Sequence, residues 1–155
     1  MKTTTLSLIL LLILPFLTRA QKINEWRPEN RTGVSAETGL LKSWPAAGPN
    51  LLWTNLELGK GYSSPSFGAN TIYITGLSGS DDILYALSMD GKIMWKTVMG
   101  RAWTGATPDS RATPTVEGNM VYTCSGLGDL ACIDGSAGKI IWFWVPLSHS
   151  HSHFF

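Results

Sequence analysis

The sequence predicts an all-β fold built from short antiparallel strands, and three observations predict it. Only 15% of the 155 residues are charged, against roughly 25% in typical soluble domains, which disfavours long solvated helices and a charge-rich disordered chain. The 16 glycines and seven tryptophans suit strands joined by tight turns. The third observation is an internal repeat, in which the same landmarks return after 47 to 49 residues.

The repeat becomes visible when residues 61–98 are aligned with residues 111–145. The matched landmarks are Pro65 with Pro114, Tyr73 with Tyr122, Gly91 with Gly138, and Trp95 with Trp142. The first two pairs are offset by 49 residues and the last two by 47, a slip that falls within the intervening hairpin loops. An earlier copy of the last element ends at Trp53, so tryptophan recurs at three equivalent places.

Each repeat divides into four strands separated by Gly, Asn and Asp turns. The predicted strands are 62–67, 71–75, 83–88 and 92–98 in the first repeat, and 112–116, 120–125, 130–134 and 139–145 in the second. A repeat of about 40–50 residues with four strands is typical of a propeller blade. The sequence therefore predicts four-stranded antiparallel blades of an incomplete β-propeller: about two blades plus a preceding strand. Trp53, Trp95 and Trp142 are expected in equivalent buried environments.

The N-terminal residues have the order of a secretory signal peptide. Lys2 is followed by the apolar run Leu6–Leu17 and by Thr18–Ala20, and the run is too short for a spanning helix of about 20 residues. We expect cleavage near Ala20 and a secreted or periplasmic product without a membrane span. The predicted organisation is a signal peptide at 1–20, a lead-in segment at 21–49, a partial propeller at 50–146 and an irregular tail at 147–155.

The charge balance argues against nucleic acid as a partner. Removing Lys2 and Arg19 with the leader leaves 10 basic and 11 acidic residues, a formal net charge of −1. A chain with this balance has no electrostatic attraction for nucleic acid or for an anionic membrane surface.

The strand ends resemble the tryptophan-docking motif of pyrroloquinoline-quinone (PQQ)-type β-propellers, Ala-x-Asp-x-x-x-Gly-x-x-x-Trp. The second repeat carries it as Cys132, Asp134, Gly138 and Trp142, with Cys in place of Ala. The first repeat carries a copy one residue shorter, with Ser in place of Asp, as Ala86, Ser88, Gly91 and Trp95. Gly makes the turn and Trp lays its ring against the neighbouring blade. The resemblance covers about Trp26–Trp142, and its opening segment is similar to that of exported bacterial propellers of this group.

The resemblance implies one of two functions. Quinoprotein dehydrogenases of this group bind the quinone and calcium and oxidise alcohols or sugars, whereas propellers similar to the outer-membrane assembly lipoprotein are non-catalytic platforms. The enzymes typically carry a vicinal disulfide, which this sequence lacks. We expect a truncated, exported, non-catalytic binding or scaffold module, with the remaining blades or another protein as partner. The alternative is a truncated PQQ-dependent dehydrogenase. No catalytic residue, metal ligand or cofactor is assigned to this chain; PQQ and calcium are expected only in a full-length enzyme.

A ligand-facing loop is expected in the connection between the two repeats. Arg101, Trp103 and Arg111 lie there, and Arg with Trp suits an anionic or sugar ligand. The alternative is that these side chains cap the junction between blades. Aspartates fall mostly in predicted turns, where backbone geometry favours Asp, and are not expected to bind calcium. They are Asp81, Asp82, Asp90, Asp109, Asp129 and Asp134.

Two further features leave alternatives open. Cys124 and Cys132 flank a predicted turn at Gly128 and form either a disulfide or two small buried thiols. The alternating histidines of the tail suggest either a metal-binding extension or an accidental Ser-His alternation at a premature end. These are His149, His151 and His153.

Overall fold

The computed structural model describes residues 23–24, 27, 32–34 and 37–146, and every regular element in them is a β-strand. The all-β class is therefore confirmed. The strands are β1 (Ile23–Asn24), β2 (Ser66–Phe67), β3 (Thr71–Ser78), β4 (Asp81–Ser88), β5 (Ile93–Arg101), β6 (Thr115–Glu117), β7 (Met120–Cys124), β8 (Leu130–Asp134) and β9 (Ile140–Trp144). The predicted signal peptide and the tail with its three histidines lie outside the described residues. Within them, no helix has the length and apolar character needed to cross a membrane.

The strands form two antiparallel sheets that follow the sequence repeat. The first sheet has the order β2-β3-β4-β5, and the second has the same order, β6-β7-β8-β9. The second sheet gains a fifth strand, because β1 from the lead-in segment pairs with the free edge of β6. This added strand was not predicted, since two residues carry too little alternation to be recognised in a sequence.

The strand bounds differ from the prediction mainly at the start of each repeat. Residues 62–65 were predicted as strand, but β2 begins only at Ser66. The chain before it is used for other contacts: Lys60 bridges Leu77, and Gly61 bridges Ser110 in a parallel sense. By contrast, β3 and β4 are longer than predicted and pair over eight consecutive positions around the turn at Gly79.

Alternation along β4 assigns its side chains to two cores. Leu84 and Ala86 point toward the second sheet and join a cluster that includes Val121 and Ile133. Tyr85 and its neighbours of the same parity point to the opposite face, where they pack with Leu58 from the chain that precedes β2. The first sheet is therefore covered on both faces, by the second sheet on one side and by residues from the segment before β2 on the other.

Candidate functional site

The side chain of Trp95 joins the two sheets at the turn between β8 and β9. Its ring lies against Gly138, and its Nε1 donates a hydrogen bond to the carbonyl oxygen of Gly135 at 3.2 Å. Gly138 has a φ of +68°, and a Cβ there would come within 3 Å of the indole. The Thr97 hydroxyl, two residues along β5, donates to the carbonyl oxygen of Gly138 at 2.6 Å. Glycine is thus required by both the backbone and the ring.

Trp53 makes the same contacts one unit earlier. Its Nε1 donates to the carbonyl oxygen of Met89 at 3.0 Å, and its ring lies where a Cβ on Gly91 would stand. Gly91 has a φ of +80°, and its carbonyl oxygen accepts from the Asn55 amide at 2.8 Å. Trp53 and Asn55 therefore correspond to Trp95 and Thr97. Trp53, however, belongs to no strand.

The other residues of the docking motif pack beside the tryptophan or close the glycine turn. Ala86 is fully buried opposite Trp95 in the β4–β5 register. Asp134 closes its turn by accepting from the Ser136 hydroxyl and from the backbone N–H of Ala137, and these hydrogen bonds lower the pKa of its carboxyl group. In the shorter first copy Ser88 occupies this place, and its hydroxyl hydrogen-bonds the Asp90 carboxylate.

Trp142 repeats the ring geometry of Trp95, but its indole N–H has no hydrogen-bond acceptor among the residues that the structure describes. The Trp142 and Tyr122 ring centroids are 6.2 Å apart at 46°, against 5.9 Å and 45° for Trp95 and Tyr73. Trp142 remains 45% exposed and Trp53 40% exposed, so the expected burial of all three tryptophans is wrong. The reason is that Trp53 lies at the outer surface, and no glycine turn covers Trp142 within residues 37–146.

Arg101 forms an ion pair with Asp129 across the two sheets. Its guanidinium lies 3.3 Å from an oxygen of Asp129, and its backbone N–H donates to the same carboxylate at 2.9 Å. Burial alone would raise the pKa of Asp129, but these hydrogen bonds from Arg101 outweigh it and hold the pKa below its ordinary value. Arg101 thus ties the sheets together, as in the capping alternative.

Asp82 and Asp129 are buried. Asp129 lies in the connection between β7 and β8, as expected, but Asp82 belongs to β4, so the expectation of a turn position is wrong for Asp82. Asp82 accepts from the backbone N–H of Gly126, in the turn between β7 and β8, at 2.6 Å, whereas Asp129 is the partner of Arg101. We call Asp82, Asp129 and Arg101 the carboxylate clamp. The alternation of side chains along β4 could have placed Asp82 correctly. Residues two apart in a strand point to the same face, so Asp82 lies on the face of Leu84 and Ala86, toward the second sheet.

Trp103 and Arg111 line a cavity beside this clamp. The cavity measures about 370 Å³ and lies between the β5–β6 connection and the end of β7. Its walls include Trp103, Thr107, Asp109, Arg111, Cys124 and Ser125. One guanidinium nitrogen of Arg111 donates to the Thr107 hydroxyl at 2.5 Å and to the carbonyl oxygen of that residue at 3.4 Å. Of the three loop residues predicted to meet a ligand, two are therefore at this cavity.

The two cysteines are free thiols. Cys124 pairs with Leu130 and Cys132 with Tyr122 in the β7–β8 register, so the cysteines are two positions out of step and too far apart for a disulfide. Burial raises the pKa of both thiols. Among the described residues, no three His, Cys, Asp or Glu side chains converge as metal ligands.

No protein-family model matches the chain, and no curated protein matches it.

Proposed function

We propose that the chain is an exported PQQ-like β-propeller repeat protein in which the two sheets are adjacent blades. The repeated Trp–Gly contact supports this, because blades must bury their faces against neighbours. A second support is the arrangement of the segments that precede β2 and β6. Gly61 and Ser110 bridge in a parallel sense, and the Ser64 N–H donates to the Thr113 hydroxyl at 3.0 Å. Ser64 and Thr113 are 49 residues apart, the offset of the repeat itself.

The proposed role is that of a non-catalytic binding or scaffold module. The observation that carries it is the exposed strand β9, where five consecutive large apolar side chains face solvent: Ile140, Ile141, Trp142, Phe143 and Trp144. An apolar patch of this kind marks a protein-interaction surface. Because Trp142 already has the geometry of the engaged Trp95, the partner surface presents a glycine turn like those at Gly91 and Gly138, carried by a further sheet or by another protein.

The test is the association state of the secreted full chain, measured by size-exclusion chromatography with light scattering. We expect the chain to associate or to be poorly soluble, and Trp142→Ala to reduce this association. Trp44→Ala removes an indole that is 67% exposed elsewhere and is the matched control. A monodisperse wild-type monomer with a cooperative melt would contradict the proposal. Export is tested separately by mass spectrometry, with an N-terminus near Gln21 expected and one at Met1 in a membrane fraction opposing it.

The alternative function, a PQQ-dependent alcohol or sugar dehydrogenase, has a direct assay. The purified chain is mixed with PQQ, calcium, an alcohol and an electron-accepting dye. Reduction of the dye above a control without quinone would replace the scaffold proposal with the enzymatic one.

A further inference from the structure

We propose that the cavity lined by Trp103 and Arg111 binds a neutral carbohydrate. This inference specifies the ligand class for the binding module proposed above and rests on that function. The volume of about 370 Å³ falls within the roughly 300–1,000 Å³ of small-molecule sites. Three kinds of group meet there: an aromatic ring, a cation and a carboxylate, and their arrangement favours a polyhydroxylated ligand over an ion.

Trp103 is a fixed platform. A Cβ on Gly105 would lie 2.5 Å from Cζ2 of the indole, so the ring rests directly on that glycine. A Cβ on Gly126 would collide with the backbone nitrogen of Trp103, so the loop packs closely on the end of the second sheet. The side chain nevertheless remains 48% exposed. A ring held by backbone and open to a cavity offers apolar area for the C–H face of a sugar with little loss of conformational freedom.

Arg111 and Asp109 supply a donor and an acceptor at the same cavity. Neither residue forms an ion pair with any other residue that the structure describes. Thr107 engages one terminal nitrogen of the Arg111 guanidinium, which fixes the group and leaves its other N–H donors available. The carboxylate of Asp109 can accept hydrogen bonds but has none to donate. Vicinal hydroxyl groups of a sugar can donate to a carboxylate and accept from a guanidinium, so this pair matches them.

The surrounding charges disfavour an anion. Arg101 and Asp129 neutralise each other in the carboxylate clamp, and Asp109 formally balances Arg111. The Asp82 carboxyl group is buried behind Gly126 and does not line the cavity, so the residues that line it carry a formal net charge of zero. A neutral polyol satisfies both Arg111 and Asp109, whereas an anion would meet the Asp109 carboxylate as a like charge.

Ligand-observed NMR on the secreted full chain tests the inference, with glucose, galactose, N-acetylglucosamine and maltose as probes and inorganic phosphate and glucuronate as anionic comparisons. We expect saturation transfer to at least one neutral sugar. Trp103→Ala is expected to weaken that binding about tenfold or more, because truncating a central aromatic contact carries such losses. Asp109→Asn should weaken it about tenfold by removing a charged acceptor. Trp44→Ala is the matched control and should leave binding unchanged.

The outcomes separate this inference from the proposed function. Binding of phosphate or glucuronate alone, lost in Arg111→Ala, would overturn the neutral-sugar inference and assign an anion site. Absence of binding for every probe would also overturn it, as would equal losses in Trp103→Ala and Trp44→Ala. A thermal melt of each variant excludes loss of folding as the cause. None of these results changes the association test at Trp142, which tests the proposed function independently.

Discussion

Trp53 and Trp95 make equivalent contacts from different backbones. Trp95 projects from β5, a paired strand, whereas Trp53 lies in a segment with no regular structure. Each indole donates to a turn carbonyl and covers a glycine of positive φ, and each is followed two residues later by a polar side chain that bonds that glycine. The contact is therefore specified by side-chain spacing and turn geometry, and a strand around the tryptophan is not required.

The two contacts differ in what supports them. At the second, the Tyr73 hydroxyl also donates to the Gly135 carbonyl oxygen at 3.0 Å, and the carboxylate clamp links the same two sheets at their other end. At the first, Met89 stands in place of Gly135, and the residue six positions after Trp53, where Arg101 follows Trp95, is Gly59. The comparison indicates that the Trp95 contact is part of a rigid interface, while the Trp53 contact fastens a single segment.

Replacing each indole gives the largest expected difference. Trp95→Ala should lower the free energy of unfolding by about 3–5 kcal/mol, because it opens a cavity beside the core between the sheets. Trp53→Ala should cost about 1–2 kcal/mol, since its ring is more exposed and its segment can relax. Urea unfolding of both variants measures the difference, with Trp44→Ala as the control. Equal losses would show that the two contacts are energetically equivalent.

The glycines give the next largest effect. Gly138→Ala should cost about 2–3 kcal/mol, because the new Cβ strains the backbone and strikes a ring held in β5. Gly91→Ala should cost about 1–2 kcal/mol, because Trp53 can move aside. Gly79→Ala is the matched control, as Gly79 has a φ of +64° with no atom within 4 Å of the added carbon, and it reports backbone strain alone. If all three variants lose the same stability in urea melts, the rings contribute nothing.

Acid should weaken the interface around Trp95 more than the contact of Trp53, because the Trp95 interface includes Asp129 of the carboxylate clamp. The pKa of Asp129 is lower in the folded chain than in the unfolded one, so its stabilisation is present above the unfolded value of about 4 and is lost as pH falls through the folded value. Asp129→Asn should cost about 2 kcal/mol at pH 7 and flatten the dependence of stability on pH between 5 and 3. Asp90→Asn, at an exposed ion pair with Lys92, is the comparison. An unchanged pH profile in Asp129→Asn would contradict the role of the clamp.

Replacing the polar residue two positions after each tryptophan should have the smallest effect on stability. Thr97→Val removes the hydroxyl that bonds Gly138 and should cost about 1 kcal/mol. Asn55→Ala should cost less, because the segment that carries Asn55 belongs to no strand and can readjust. Thermal melts of the two variants, each compared with wild type, measure this. A larger loss for Asn55→Ala would reverse the proposed order of the two contacts.

The sequence predicted the features that repeat. The strand order and the glycine turns depend on local spacing, and repetition at a fixed offset made them recognisable. The sequence did not predict which glycine turn Trp95 covers, because Gly138 belongs to the next repeat. Asp82 and Asp129 were missed because their partners, Gly126 and Arg101, are 44 and 28 residues away in the chain. A contact of that kind depends on how two sheets meet, which no local pattern encodes. The same reason explains β1, whose pairing with β6 spans most of the chain.

The stacking of Tyr122 on Trp142 has a kinetic consequence. The ring pair has the same separation and tilt as the engaged pair Tyr73–Trp95, although nothing in the described structure covers its outer face. The rotamer freedom of the indole is therefore lost when its own sheet folds, and not when a partner arrives. Ordering such a side chain at an interface otherwise costs about 0.5–1.5 kcal/mol. A partner of β9 thus meets a preorganised surface, and its rate of association is set by encounter and orientation instead of by rearrangement of Trp142.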